Sequence, residues 1–282
     1  MKILYILTGL GMGGAETQVV ALADKMIDLG HDVSLLSLYG ESVVTPKSNN
    51  IEVFELNMVK NPLSIIRCYL EAIAIITSLN VDVVHSHMVH ANIFSRMLRV
   101  STKMNKLICT AHSSNEGGLN RKILYRLTNG ICDVFTNVSE NAVKAFEDNR
   151  IVKKKSMICV YNGIDTDRFK YDPSLCNKIR SELKIKDGVE IFIAVGSFNE
   201  AEAMSCQLPV VATDCGGVRE VVGDYGLLCP PKNSEILAEG MMQLIRMPDE
   251  LRRNLSLSGR EHIIKNFSLD EVVRKWVSIY LQ

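Results

Sequence analysis

The residues of this chain best suited to chemistry are four histidines and two glycine-rich runs. His85-Ser-His87-Met-Val-His90 closes one apolar run, and His112 follows another, Lys106–Thr110. Histidine changes charge and hydrogen-bonding role near neutral pH, so such a set could bind metal or manage protons and hydroxyls. Catalytic zinc generally takes three protein ligands. Only His85 and His87 would share a strand face, so no metal site is expected. Gly9-Leu-Gly-Met-Gly-Gly14 and Cys215-Gly216-Gly217 each precede a helical pattern. Glycines let a ligand approach the backbone, and a helix start leaves N–H groups facing outward, an arrangement that suits phosphate. Gly9, Gly11 and Gly14 also satisfy G-x-G-x-x-G. A dinucleotide site needs an acidic residue about 20 positions on, at the end of the second strand. That strand ends in Ser37-Leu-Tyr-Gly, and Glu41 comes too late. An NAD-dependent oxidoreductase is therefore a lesser alternative.

The elements that must position these residues alternate between two periods. Strands are expected at Lys2–Thr8, His31–Leu38, Ile51–Leu56, Val81–His85, Lys106–Thr110, Val134–Val138 and Ser156–Val160. Helices are expected at Ala15–Leu29, ended by Gly30, at Pro62–Ser78 and Asn120–Leu127, with Ser139 capping another. The second half reads as a strand at Ile191–Val195, a helix ending near Cys206, a strand at Pro209–Thr213 and a helix from Val218. Helices then follow at Ser234–Arg246, Asp249–Asn266 and Ser268–Leu281. Such alternation is the mark of α/β architecture. Leu63–Leu79 is the best candidate for a membrane span, but Arg67 and Glu71 interrupt it. A span usually needs about 18 or more unbroken apolar residues, so a core or interfacial helix is expected. Residues 3–10 are apolar but run into the glycine loop without a cleavage-type site, so no secretory signal is expected.

Lys plus Arg equals Asp plus Glu at 32 each, which gives no reason to expect a nucleic acid partner. Hydrophobic residues make up 47%, enough for a sizeable core. The eight cysteines never form Cys-x-x-Cys and read as buried thiols in a reducing compartment.

Gly11-Met-Gly-Gly-Ala-Glu16, His112, Asn162-Gly-Ile-Asp165 and the stretch Glu202–Gly217, continuing to Glu220, together resemble family 4 glycosyltransferases. That group is retaining and metal-independent, with two Rossmann-like domains (the GT-B fold). The resemblance implies an α/β protein of GT-B-like build with a truncated second domain. Residues 1–170 would form the acceptor-side domain. Residues 171–282 would form a shortened nucleotide-sugar domain whose terminal helices cross back, anchored by Trp276. It also implies transfer of a hexose-type sugar from a nucleotide-diphosphate donor, UDP-linked, to a glycan or lipid-linked glycan, without a cofactor. Glu202 would bind the ribose hydroxyls, and Gly13, Gly14, Gly216 and Gly217 would lie against the donor. His112 would sit beside the transferred sugar, with Glu16, His87 and His90 on the acceptor side. Asn162–Asp165 would be a structural landmark near the domain junction. A cytoplasmic setting follows, with peripheral contact at the inner face of the membrane left open.

The chain departs from the family pattern at one place. The family has a glutamate eight positions before the one at Glu202, and here that position is Ala194. The family's diphosphate-binding cations are also missing, since no Lys or Arg stands between Lys186 and Arg219. Two Rossmann-like domains usually need about 150–200 residues each, and 282 is short for a pair. An internal deletion near Asn199 is expected, with impaired transfer. A non-catalytic glycan-binding remnant is the alternative.

Overall fold

The computed structural model describes residues 1–186, 188–192 and 200–282. The chain divides into two units, Met1–Asn162 with Val273–Gln282, and Gly163–Val272.

The first unit runs β1 (Lys2–Gly9), α1 (Gly14–Asp28), β2 (Asp32–Tyr39), β3 (Glu52–Glu55), α2 (Pro62–Leu79), β4 (Val83–His87) and α3 (Val89–Ser101). It continues with β5 (Lys106–Ala111), α4 (Leu119–Thr128), β6 (Val134–Asn137), α5 (Glu140–Asp148) and β7 (Ile158–Cys159). The seven strands form one parallel sheet in the order β3-β2-β1-β4-β5-β6-β7. Side chains alternate across the pleat. Leu4, Ile6, Leu36, Val84, Leu107, Cys109 and Phe135 share one core with Cys68 and Ala72 of α2, Phe94 and Leu98 of α3, and Phe146 of α5. The opposite face carries Tyr5, His85, His87, Thr110 and Thr136, linked by registers Tyr5↔His85, His87↔Thr110 and Thr110↔Thr136. Caps fall where the sequence suggested them. Ser139 accepts from the Ala142 N–H, and Gly30 follows α1 with φ of +78°.

One strand differs from expectation. The strand expected at Val81–His85 lies two residues later, at Val83–His87. Pairing with β1 and β5 extends it to Leu7 and Thr110, so His87 is a strand residue and His90 falls in the first turn of α3. α2 buries only Cys68, Ala72 and Ile76, while Leu63, Ile66 and Leu70 are exposed. By length and composition alone α2 could cross a membrane.

The second unit holds α6 (Pro173–Glu182), α7 (Glu200–Ser205), β8 (Val211–Thr213), α8 (Val218–Val222), β9 (Leu227–Cys229), α9 (Ser234–Arg246) and α10 (Asp249–Phe267). α11 (Leu269–Leu281) begins there, and its residues from Val273 onward belong to the first unit. Among the described residues the second unit has one two-stranded parallel sheet, β8 with β9. Most of the strand expected at Ile191–Val195 lies outside the described residues, and Ile191 and Phe192 are not in a strand.

Gly163–Asp165 opens this unit. Ile164 donates to the Phe267 carbonyl and accepts from the Leu269 N–H, both at 2.8 Å. A Cβ on Gly163 would stand 2.8 Å from Leu269 Cα, so no larger residue fits without moving backbone. Asp165 Oδ1 closes the turn by accepting from the N–H groups of Asp167 and Arg168.

Candidate functional site

Ligands of open parallel sheets bind beyond the carboxyl ends of the strands. Here those ends present His87, the last residue of β4, and His112, the first after β5. Their rings meet, with His87 Nδ1 3.0 Å from His112 Nε2. Beneath them His85 is pinned at both nitrogens, 2.7 Å from the Tyr280 hydroxyl and 2.7 Å from Thr110 Oγ1. The chain of hydroxyls continues from Thr110 to Thr136 at 2.7 Å and from Tyr280 to Tyr5 at 3.1 Å. The rings of His85 and His87 lie with centroids 4.0 Å apart at a tilt of 37°, and Trp276 lies 4.4 Å from His85. Trp276 thus anchors α11 against the sheet.

Electrostatics keep this cluster neutral. Burial pushes His112 down to about 4. Burial also holds His85 and His87 well below the ordinary imidazole value, and the neighbouring imidazoles deepen the effect. At neutral pH these rings donate and accept hydrogen bonds but supply no positive charge.

The loop after His112 is fixed by residues that sequence reasoning missed. The His112 N–H donates to Glu116 Oε1 at 2.9 Å, and the Tyr125 hydroxyl donates to Glu116 Oε2. Asn92 Nδ2 donates to the Tyr125 hydroxyl and the Thr110 carbonyl, and its Oδ1 accepts from Ser86. Burial raises the Glu116 carboxyl above the usual range. The available signal was a carboxylate four positions after His112, just before Gly117-Gly118.

Gly13 caps α1 and Gly14 begins it, as a phosphate-facing loop requires, but the Glu16 carboxylate occupies the space beside Gly13. An anion approaching those N–H groups would have to turn Glu16 away. Gln18 and Val19 of α1 line a small cavity with His87, Thr110, His112, Asn162 and Trp276. His90 stands apart from this group at the surface, its Nε2 3.3 Å from an Arg121 nitrogen and its ring edge-on to Tyr39. Among the described residues no group of three or more His, Cys, Asp or Glu side chains is arranged to hold a metal ion. β2 ends at Tyr39, so no acidic residue stands where a dinucleotide ribose would need one.

In the second unit, Glu202 lies in the first turn of α7, half-buried, and α7 packs against α8. Gly217 caps α8, and Gly216 before it holds φ of +58° with open space around it. A side chain at Gly216 would be strained by that backbone whatever the room available. Glu202 and the glycine turn are thus carried by adjoining helices. The cations here are engaged. Arg219 clamps Asp214 through Nε at 3.1 Å and through a terminal nitrogen. Arg260 of α10 donates to the carbonyls of Phe169, Thr166 and Ser205, and both it and Glu202 act electrostatically on the Cys206 thiol.

Residues 12–168 match the model described as Glycosyltransferase Family 4, and residues 198–262 match the one described as glycosyl transferases group 1. N-acetyl-alpha-D-glucosaminyl L-malate synthase of Bacillus anthracis is 35% identical over 81 residues, 28% of this chain and 21% of that protein. Alpha-maltose-1-phosphate synthase of Mycolicibacterium smegmatis is 37% identical over 87 residues, 28% of this chain and 22% of that protein. The stretch shared with these relatives is thus about a fifth of their length. Among solved structures, a glycosyltransferase from Rickettsia africae superposes with a TM-score of 0.83 at 17% identity, covering 99% of this chain and 97% of that one. The Anabaena protein HepE, solved in complex with UDP, superposes with a TM-score of 0.75 at 16% identity, covering 99% of each chain.

Proposed function

Since the chain belongs to glycosyltransferase family 4, we propose that it moves a hexose-type sugar from a UDP-linked donor to a hydroxyl of a glycan or lipid-linked glycan. In this reading the bond from the anomeric carbon to the diphosphate breaks, with its electron pair leaving on the diphosphate. The acceptor oxygen bonds the same carbon on the same face, and its proton passes to the diphosphate. The reaction needs neither an enzymic nucleophile nor a metal. The protein contributes orientation and electrostatic help to the leaving group.

The observation that carries the reading is Glu202 on a helix packed beside the Gly216–Gly217 turn. A carboxylate can accept from both ribose hydroxyls, and the glycine turn leaves backbone N–H groups near a phosphate. The UDP complex of the Anabaena protein supports UDP as the nucleotide. In the first unit, neutral His112 would hydrogen-bond the transferred sugar. Gly13 and Gly14 would admit the donor phosphates once Glu16 turns aside, and Glu16, His87 and His90 would face the acceptor. A cytoplasmic setting with peripheral contact at the inner face of the membrane belongs to the same proposal. The exposed apolar side of α2 supports it, and co-sedimentation with anionic phospholipid vesicles tests it.

Departure of a diphosphate develops negative charge, and removing one preorganised stabiliser commonly costs about 10²–10³ in rate. Arg219 and Arg260 already hold Asp214 and backbone carbonyls, so this chain is expected to transfer slowly. Incubation of the purified chain with a panel of labelled UDP-sugars and glycan acceptors tests this. Slow, acceptor-dependent release of UDP is the expected result. Rapid turnover would contradict the impairment. No turnover with acceptor still bound would favour the glycan-binding remnant, a reading that the missing cations support.

A further inference from the structure

We infer that His87 is a positioning residue that sets the tautomer of His112, keeping the His112 proton on Nδ1 so that its ring offers a ligand an N–H donor. The inference deepens the role proposed above for His112 and rests on it only for the identity of the ligand. The bond between His87 Nδ1 and His112 Nε2 is 3.0 Å long. With both rings neutral, it contains one proton, carried by one ring or the other. If His112 donates, the proton of His87 must sit on its own Nε2. That atom is buried and has no hydrogen-bond partner. The small cavity that both rings line measures about 10 Å³, at the lower limit of what one water needs. A buried N–H without an acceptor is rarer and costlier than an acceptor left bare. The favoured arrangement therefore has His87 donating from Nδ1–H to His112 Nε2, its own Nε2 a bare acceptor, and His112 protonated on Nδ1. Among the described residues no group bonds Nδ1 of His112, and the residue as a whole keeps some exposure.

His87 is also held against rotation. Its ring packs at a tilt of 37° against His85, which two hydroxyls fix at 2.7 Å each, and Tyr5 lies 5.9 Å away on the same face. The next residue, Met88, takes φ of +71° and ψ of 158°, a region nearly confined to glycine. The chain thus holds a strained backbone directly after the residue that orders the pair.

Long-range proton–nitrogen correlation spectra of the imidazoles in the full chain test the assignment. The expected result is His112 protonated on Nδ1 in the native protein, with His87→Asp, which places an acceptor-only group near the position of Nδ1, putting a proton on His112 Nε2. His87→Asn, which keeps an N–H donor near that position, is expected to retain the Nδ1–H form. His112 found in the Nε2–H form in the native protein, or its Nε2 left bare in His87→Asp, would overturn the inference. If His87→Asp fails to fold, the native and His87→Asn spectra still decide. If His112→Ala transfers sugar as fast as the native chain, the sugar-contact role fails while the tautomer assignment stands on the spectra.

Discussion

Exchange of His112 for Ala is expected to lower the rate of sugar transfer by roughly 10²–10³-fold, while UDP affinity changes by no more than about threefold. The argument begins with position. His112 is the first residue beyond β5, its N–H is held by Glu116, and its ring is held by His87. A ring held in this way loses little entropy on meeting a substrate, so its hydrogen bond is fully available in the transition state. Burial leaves the ring neutral, with its pKa down to about 4. The loss on substitution is therefore that of a directed hydrogen bond and not of a charge, and it should not vary with pH between 6 and 8. His112→Gln, which keeps a donor, should recover part of the rate. Transfer by His112→Ala within about threefold of the native rate would remove His112 from the site.

The second large effect is expected in stability. An unfolded chain binds protons at its histidines near pH 6.5. In the folded chain His85, His87 and His112 bind them only at much lower pH, because burial opposes the charged ring. Between those limits the unfolded state holds more protons, so stability falls as the pH falls. Each such histidine contributes about 1.4 kcal/mol per pH unit. Glu116 works the other way over part of the range, since burial raises its carboxyl and the folded state then holds the extra proton. Once the pH is well below 6.5 the three together give about 4 kcal/mol per pH unit, and less wherever Glu116 offsets them. Against a total of about 5–15 kcal/mol for an ordinary domain, two units of acid would bring the first unit close to unfolding. Urea unfolding at pH 7.5, 6.0 and 5.0, followed through the buried Trp276, measures it. His85→Gln should remove one of the three contributions and flatten the slope. A stability that stays level from pH 7 to pH 5 would mean that the rings take up protons in the folded state.

Much of the first unit was legible because its strands are continuous apolar runs and its helices carry their own punctuation. Ser139 and Gly30 act locally, and local signals survive in sequence. The register of β4 was not legible. A continuous apolar run does not say where pairing stops, and the neighbours β1 and β5 extended the strand to His87. That shift puts His87 inside β4 and His90 in the first turn of α3. The Glu116–Tyr125–Asn92 network was hidden for a similar reason, since its partners come from three elements joined only by the fold. α6 was overlooked despite a usable signal, Asp172 before Pro173, which cap and begin the helix. The weak cover on α2 could not be read at all, because apolar composition does not reveal what packs against it. Glu202 and Gly216–Gly217 were found by resemblance, and what the structure adds is that α7 and α8 pack together.

Titration of UDP into the purified chain by calorimetry, with Glu202→Ala as the control, tests the central claim most directly. The account expects saturable binding of UDP at one site and loss of at least about tenfold in affinity in the variant, as removal of a charged hydrogen-bonding group requires. Absence of UDP binding by a chain shown to be folded, or binding that Glu202→Ala leaves unchanged, would contradict it.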